Sequence, residues 1–170
     1  AYYHGESPEL LYPALWYDIG NDTQYARNRL FGFRSKLYAE GFMKTIQNWG
    51  TAHNIHATGH QDQEEILNPV SVSGDLMLWN KYIDIPGIDK IGGGRPTEDF
   101  YKVISSAAYN WDKQLVMSET YGAMGNLNMH ELYHIAMEQY TKGINALIPH
   151  AVWYNDQNVT FLPELSWRNP

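Results

Sequence analysis

The segment Leu115-Val-Met-Ser-Glu119 is an apolar run that stops on one carboxylate, and Thr120-Tyr-Gly-Ala-Met-Gly125 turns immediately after it. A buried parallel strand presents a polar residue at its C-terminal end in this way, and α/β folds place their chemistry there. Three further apolar runs end alike, in a His, an Asp or an Asn with aromatic neighbours. Glu119 has a second role open to it, as an acid capping the helix that follows.

Five strand-like segments alternate with helical or loop-rich connections. The first is Leu10–Tyr17, ending in Asp18-Ile-Gly-Asn-Asp22. A helix is expected from about Thr23 to Trp49, because Leu30, Phe33, Leu37, Phe42, Ile46 and Trp49 recur close to one face, with Gly32 and Gly41 weakening its middle. His53–Thr58 is the second strand, followed by the loop Gly59-His-Gln-Asp-Gln-Glu-Glu65. A short helix over Asp75–Asn80 precedes the third strand, Tyr82–Ile85, which a Pro86-Gly-Ile-Asp89 turn closes.

Thr97 is a suitable N-cap for a helix to about Trp111, and another helix runs from about Asn128 to Lys142, closed by Gly143. The last strand is Ile144–Val152. Apolar strands separated by helices imply a parallel sheet, expected to be covered on both faces. An open doubly wound sheet gathers function at one switch point, whereas a barrel rings one pocket with every strand end. Polar groups at nearly all the strand ends therefore favour a partial (β/α)8, TIM-type barrel of about five parallel strand–helix units.

At 170 residues and 44% hydrophobic, the chain suffices for one core and one domain, 1–170, with an irregular tail over 157–170. A net charge of −7 without Lys/Arg clusters argues against nucleic acid or an anionic membrane as partner. No apolar run approaches membrane-spanning length, so no membrane insertion is expected, and the opening Ala-Tyr-Tyr-His-Gly-Glu lacks a signal-peptide pattern. Cysteine is absent, which excludes thiol chemistry. Thirteen Tyr and six Trp exceed what a core of this size needs; such rings suit sugar faces, and also protein partners.

Glu119 is the leading catalytic carboxylate, with Tyr121 near enough in sequence to donate a hydrogen bond to it. Asp18 or Asp22, after the first strand, supplies the partner, since two carboxylates facing one pocket are the minimum apparatus for glycoside hydrolysis. Asp22 before Thr23 is equally an N-cap. His60 and Gln61 open a polar loop able to bind substrate hydroxyls or a hard cation, although it lacks regular metal-ligand spacing and no metal is assigned. Asp84 and Asp89 flank Pro86-Gly87 and are placed to contact ligand, with turn formation by Asp89 the alternative.

His150 and Trp153 close the last strand and suit a sugar, by donation and by stacking. His130 and His134 stand four apart on a helix with Glu131 directly after the first, a spacing that can bind zinc, and paired surface histidines are the expectation. Gly92-Gly-Gly94 has neither the Lys-Ser/Thr of a P-loop nor the spaced glycines of a dinucleotide fold, and Ser118 has no nucleophile elbow around it.

Asp84-Ile-Pro86, Ser105-Ser-Ala-Ala108 followed by Lys113, the strand bearing Glu119, Gly143-Ile-Asn145, His150 and Pro163-Glu-Leu-Ser166 follow one another over about 150 residues. In that order and spacing they resemble the C-terminal half of the catalytic barrel of glycoside hydrolase family 106, the α-L-rhamnosidases and related gut-bacterial hydrolases. The resemblance implies strands four to eight of the barrel, with Asp18–Asp22 ending strand four and Glu119 ending strand seven. It further implies inverting hydrolysis of a terminal rhamnosyl bond, often with calcium, in a periplasmic or secreted bacterial protein. Asn21 stands where that family carries an acid after strand four, and Asp89 is the nearest acid after the Asp-Ile-Pro turn.

On this reading the chain is a piece of a longer enzyme whose first three strands lie outside it, and its open sheet edges are expected to dimerise. The expected function is glycoside hydrolysis by paired carboxylates, with carbohydrate as partner. A non-catalytic carbohydrate-binding or scaffold domain is the alternative, and a Tyr/Trp-rich protein-interaction module is the third reading.

Overall fold

The computed structural model describes residues 7–61, 74–90, 100–125 and 127–150. Trp153, the tail over 157–170, the loop positions 62–65, Gly92–Gly94, the Thr97 cap and Pro163–Ser166 lie outside the described residues. Four strands form one parallel sheet in the unreversed order β1 (Thr58–Gly59), β2 (Ile85–Lys90), β3 (Met117–Thr120) and β4 (Ala146–Pro149). Two helices, α1 (Thr23–Lys36) and α2 (Lys44–Ala52), precede the sheet, and α3 (Leu76–Asn80), α4 (Phe100–Asn110) and α5 (Met129–Thr141) lie between its strands.

The expected first strand is not a strand. Pro8–Leu10 and Tyr12–Leu15 form two 3-10 turns, each with a proline in its first two positions. Proline fixes φ near the helical value and donates no hydrogen bond to a ladder, so the run coils instead of extending. Its side chains find no core: Leu10 is 81% exposed, and Ala14 alone of the two turns is buried. Arg27 on α1 ties the segment down by donating from Nε to the Ala14 carbonyl at 2.8 Å. Four strand units are therefore described where five were expected.

The long helix forms, running to Ala52, but Leu37–Met43 winds as a π-helix between α1 and α2. Gly41, expected to weaken this stretch, lies inside it. His53 then ends the helix, and β1 is only the last residue of the expected second strand plus Gly59. The third strand begins where it was expected to end. Pro86-Gly87 runs straight through β2, because Gly87 carries no side chain at a point where a Cβ would stand 2.3 Å from the Gly59 carbonyl oxygen.

Three ends are set locally. Asn128 caps α5 by accepting from the Glu131 N–H at 3.0 Å, while the Glu131 carboxylate accepts from the Asn128 N–H at 2.8 Å. Gly143, with φ of +96°, lets the chain leave α5 through bonds from the Gly143 and Ile144 amides back to Tyr140 and Gln139. Asp75 caps α3 in the same manner, accepting from Leu78 N at 3.0 Å.

Strand alternation divides the sheet into two faces. One bears Ile88, Val116 and Leu147, which pack with Tyr101, Ile104 and Ala108 of α4 and with Ile144. Each fully buried aliphatic side chain there contributes about 1.5–3 kcal/mol. Thr120 lies on this same face and accepts a buried hydrogen bond from Gln139 of α5 at 2.8 Å. A second cluster, Met43, Trp79 and Ile83 with Ala57 and Tyr82, anchors the π segment and α3 beside β1. The opposite face carries Thr58, Gly87, Asp89, Met117, Glu119 and Ile148, in register across the strands.

Candidate functional site

Four polar side chains meet on that second face, at the C-terminal ends of all four strands. His60 follows β1, Asp89 lies near the end of β2, Glu119 near the end of β3, and His150 follows β4. The parallel register sets Asp89 opposite Glu119 and Glu119 opposite Ile148. His150 is drawn to the cluster by its own backbone, whose N–H donates to the Thr120 carbonyl at 2.8 Å. At the other end of the same strands, Asn145 clamps β3 to β4, accepting from Val116 N and donating to the Gln114 carbonyl, each at 2.8 Å.

His60 is the hub. Its Nε2 lies 2.8 Å from Glu119 Oε2, and its Nδ1 lies 3.0 Å from the Gln61 carbonyl oxygen and 3.8 Å from Asp89 Oδ2. A carbonyl oxygen only accepts, so Nδ1 carries a proton. The Nε2–Oε2 contact then needs a second proton between the imidazole and the carboxylate. Two carboxylates flanking the ring stabilise the imidazolium, so the pair is best written as a charge-assisted bond from His60 to Glu119. The other oxygen, Glu119 Oε1, has His150 Nε2 at 4.0 Å, beyond hydrogen-bond reach. Glu119 is thus held by one oxygen and presents the other.

Depth separates the two acids. The Asp89 side chain is 6% exposed and lies behind the imidazole, while that of Glu119 is 29% exposed. Gln61, next to His60 in the chain, is buried, and neither its Oε1 nor its Nε2 has a hydrogen-bond partner among the described residues. A buried amide without a partner is costly.

The remaining expected site residues lie elsewhere. Asp18 folds back on its own turn, accepting from Thr23 Oγ1 at 2.7 Å and from Gly20 N at 2.8 Å. These bonds, chiefly the one from Thr23 and with help from the Arg27 charge, hold its carboxyl below the usual carboxylate range. It serves as a turn-former ahead of α1. Asp22 is exposed in the 3-10 turn before α1 and makes no side-chain cap bond. No strand carries either residue, and neither contacts Glu119.

Asp84 holds the N-terminal entry to β2, its Oδ1 accepting from Gln47 and its Oδ2 from Ala57 N. It clamps that entry to the helical layer and to the chain before β1. The Tyr121 hydroxyl donates to the Leu132 carbonyl at 3.2 Å, so it braces α5 instead of Glu119, and burial with Tyr140 nearby pushes its ionisation upward. His130, Glu131 and His134 line a cavity of about 330 Å³ with Met124, Leu127 and Ile135.

Lys90 escaped the sequence reading. It ends β2 and is buried, pointing by alternation to the helix-covered face opposite Asp89. An acid followed by a lysine at a strand end was the available signal. Among the described residues no group of three or more His, Asp and Glu side chains has the geometry to hold a metal ion. Calcium requires six to eight oxygen ligands, and the described cluster, two carboxylates separated by an imidazole, does not fit it.

A second cavity, of about 440 Å³, has His60 in its lining. It is lined by Tyr38, Phe42, Ile46, Trp49 and Trp79 from the helical layer and by the edge of β1. No family model, no curated protein and no solved structure matches the chain.

Proposed function

We propose that this chain carries the reacting carboxylate of a glycoside hydrolase, with Glu119 as that carboxylate. The observation that carries the reading is the pairing of an anchored and an open oxygen on one acid. His60 grips Oε2 at 2.8 Å, Asp89 stands 3.8 Å from the other ring nitrogen, and Oε1 has His150 Nε2 no nearer than 4.0 Å. An acid oriented in this way can take a proton from water or attack an anomeric carbon. Asp89 replaces Asp18 and Asp22 as the second carboxylate, positioning and charging His60 rather than touching substrate. Gln61 and His150 are the groups assigned to sugar hydroxyls.

The finer fold reading belongs here too. Four strands in unreversed order, with every strand end contributing to one cluster, suit one wall of a (β/α)8 barrel. On that reading β1 to β4 are barrel strands five to eight, the cluster faces the barrel mouth, and a terminal α-L-rhamnosyl residue is the first sugar to try.

The test is turnover of a panel of 4-nitrophenyl glycosides, beginning with the α-L-rhamnoside. Glu119→Gln is expected to lose about 10²–10⁴-fold in kcat while sugar binding persists. Asp18→Asn and Asp22→Asn should match the wild type. Equal rates for Glu119→Gln and wild type would refute the assignment, and sugar binding without turnover by the wild type would favour the non-catalytic carbohydrate-binding reading.

A further inference from the structure

The helical wall beside β1 is unusual in being aromatic, open and centred on the π-helix. Tyr38 and Phe42 of that segment stack at 5.6 Å between ring centroids, and Tyr38 meets Trp79 at 6.4 Å. A π-helix departs from the α-helical ladder at a cost, and such segments concentrate at functional sites. The wall and the edge of β1 enclose the cavity of about 440 Å³ whose lining includes His60. Its volume falls within the range that takes a small organic molecule, about 300–1,000 Å³.

We propose that this cavity is the subsite for an aromatic, oxygen-bearing aglycone, so that the substrate is an aryl glycoside and not a sugar–sugar linkage. The inference rests on the glycosidase reading, and three observations support it. First, His60 belongs to both places: it lines the cavity and bonds Glu119. A glycoside with its sugar at Glu119 and its aglycone in the cavity would place the bridging oxygen beside the imidazole.

Second, Trp79 lines the cavity, is 4% exposed, and its Nε1 has no acceptor among the described residues. A buried indole N–H without an acceptor costs free energy that an aglycone hydroxyl or carbonyl oxygen would recover. The flat faces of Tyr38, Phe42 and Trp49 suit a planar ring system more than a hydroxyl-studded second sugar.

Third, the leaving group fits the acid supply. Phenols ionise near pH 10, well below aliphatic alcohols, so an aryl leaving group needs less help from a general acid. Here one carboxylate, Glu119, faces the open side, while Asp89 is spent behind His60. In the balanced step, the bond between the anomeric carbon and the phenolic oxygen breaks and a water oxygen bonds to that carbon. One water proton ends on the phenol, which departs into the cavity.

The experiment uses the full chain, with 4-methylumbelliferone as the aglycone probe, and 4-methylumbelliferyl and methyl glycosides of one sugar as substrates. Phe42 and Trp49 are 51% and 58% exposed, so truncating them leaves the core intact, to be checked by circular dichroism. Phe42→Ala and Trp49→Ala are expected to weaken 4-methylumbelliferone binding at least about tenfold by calorimetry, with Glu119→Gln binding it like the wild type. The same two variants should lower kcat/KM on the aryl glycoside about tenfold and leave the methyl glycoside unchanged.

Binding of the probe that depends on Phe42 and Trp49, in a protein that cleaves no glycoside, would support the aromatic subsite and remove the hydrolase reading. Aryl glycoside turnover indifferent to both substitutions would overturn the subsite and leave the hydrolase reading standing. Failure of the wild type to bind 4-methylumbelliferone at millimolar concentration would also overturn it.

Discussion

Gly87→Ala should damage fold and site together. A Cβ at residue 87 would stand 2.3 Å from the Gly59 carbonyl oxygen, 2.6 Å from Met117 Cε and 2.9 Å from Met117 Sδ. Ordinary contact begins at 3.4 Å, so something must retreat by roughly an ångström. The thioether can swing away, but the Gly59 oxygen is backbone in β1, hydrogen-bonded beside β2. Overpacking of this kind costs about 1–3 kcal/mol. For a chain of this length that corresponds to a fall in Tm of roughly 2–12 °C.

The displacement also carries His60, one residue beyond Gly59. Shifted by about 1 Å, its 2.8 Å bond to Glu119 would lengthen past hydrogen-bond range. Thermal melts followed by circular dichroism measure the first effect. Turnover well below Tm measures the second, which should exceed any loss explained by unfolding. Gly87→Ala combined with Met117→Ala relieves only the flexible side of the collision, so it should remain less stable than Met117→Ala alone. A Gly87→Ala Tm within about 1 °C of wild type, or full rescue by Met117→Ala, would refute the backbone argument.

Asn128→Ala removes half of the capping box on α5 and should cost about 1 kcal/mol, read as a Tm lower by about 2–4 °C. Asp18 titrates below its unfolded value of 3.8 in the folded chain, so its contribution is complete above that value and fades as pH falls through the lower folded one. Asp18→Asn should therefore melt below the wild type at pH 7, and the gap should narrow as pH falls below 3.8; a gap undiminished in acid would contradict the assignment.

What was legible in the chain was whatever local chemistry specifies. The α5 boundaries follow from Asn128, Glu131 and Gly143, and α3 from Asp75. Glu119, Asp89, His60 and His150 were readable because each closes an apolar run. Most of the misreadings involve partners distant in sequence. Residues 10–17 looked like a strand by hydrophobicity, yet Pro8 and Pro13 coil them and no sheet neighbour receives them. Pro86-Gly87 looked like a turn because nothing local reveals that the Gly59 carbonyl will press against residue 87. Sequence alone favours Asp18 and Asp22 over Asp89 as the second acid, because only the β2–β3 register places Asp89 opposite Glu119. The π-helix has no signature in apolar spacing, which reads nearly alike through both windings.

Sheet parity explains why the strand ends are polar at these positions and not at the next ones. His60, Asp89, Glu119 and His150 share one face, and a shift of one residue would turn each to the other. There Ser118 and Thr120 are buried among helix side chains, with Thr120 satisfied by Gln139. A carboxylate moved to position 118 would face the α4 packing layer without His60, a desolvated charge costing several kcal/mol. Small hydroxyl residues on one side and acids on the other are thus one requirement seen twice. On the helix-covered face Thr120 is paired with Gln139, and on the other face Glu119, 29% exposed, has one oxygen without a hydrogen bond among the described residues. That asymmetry, more than the identity of any single residue, makes Glu119 the group to test first.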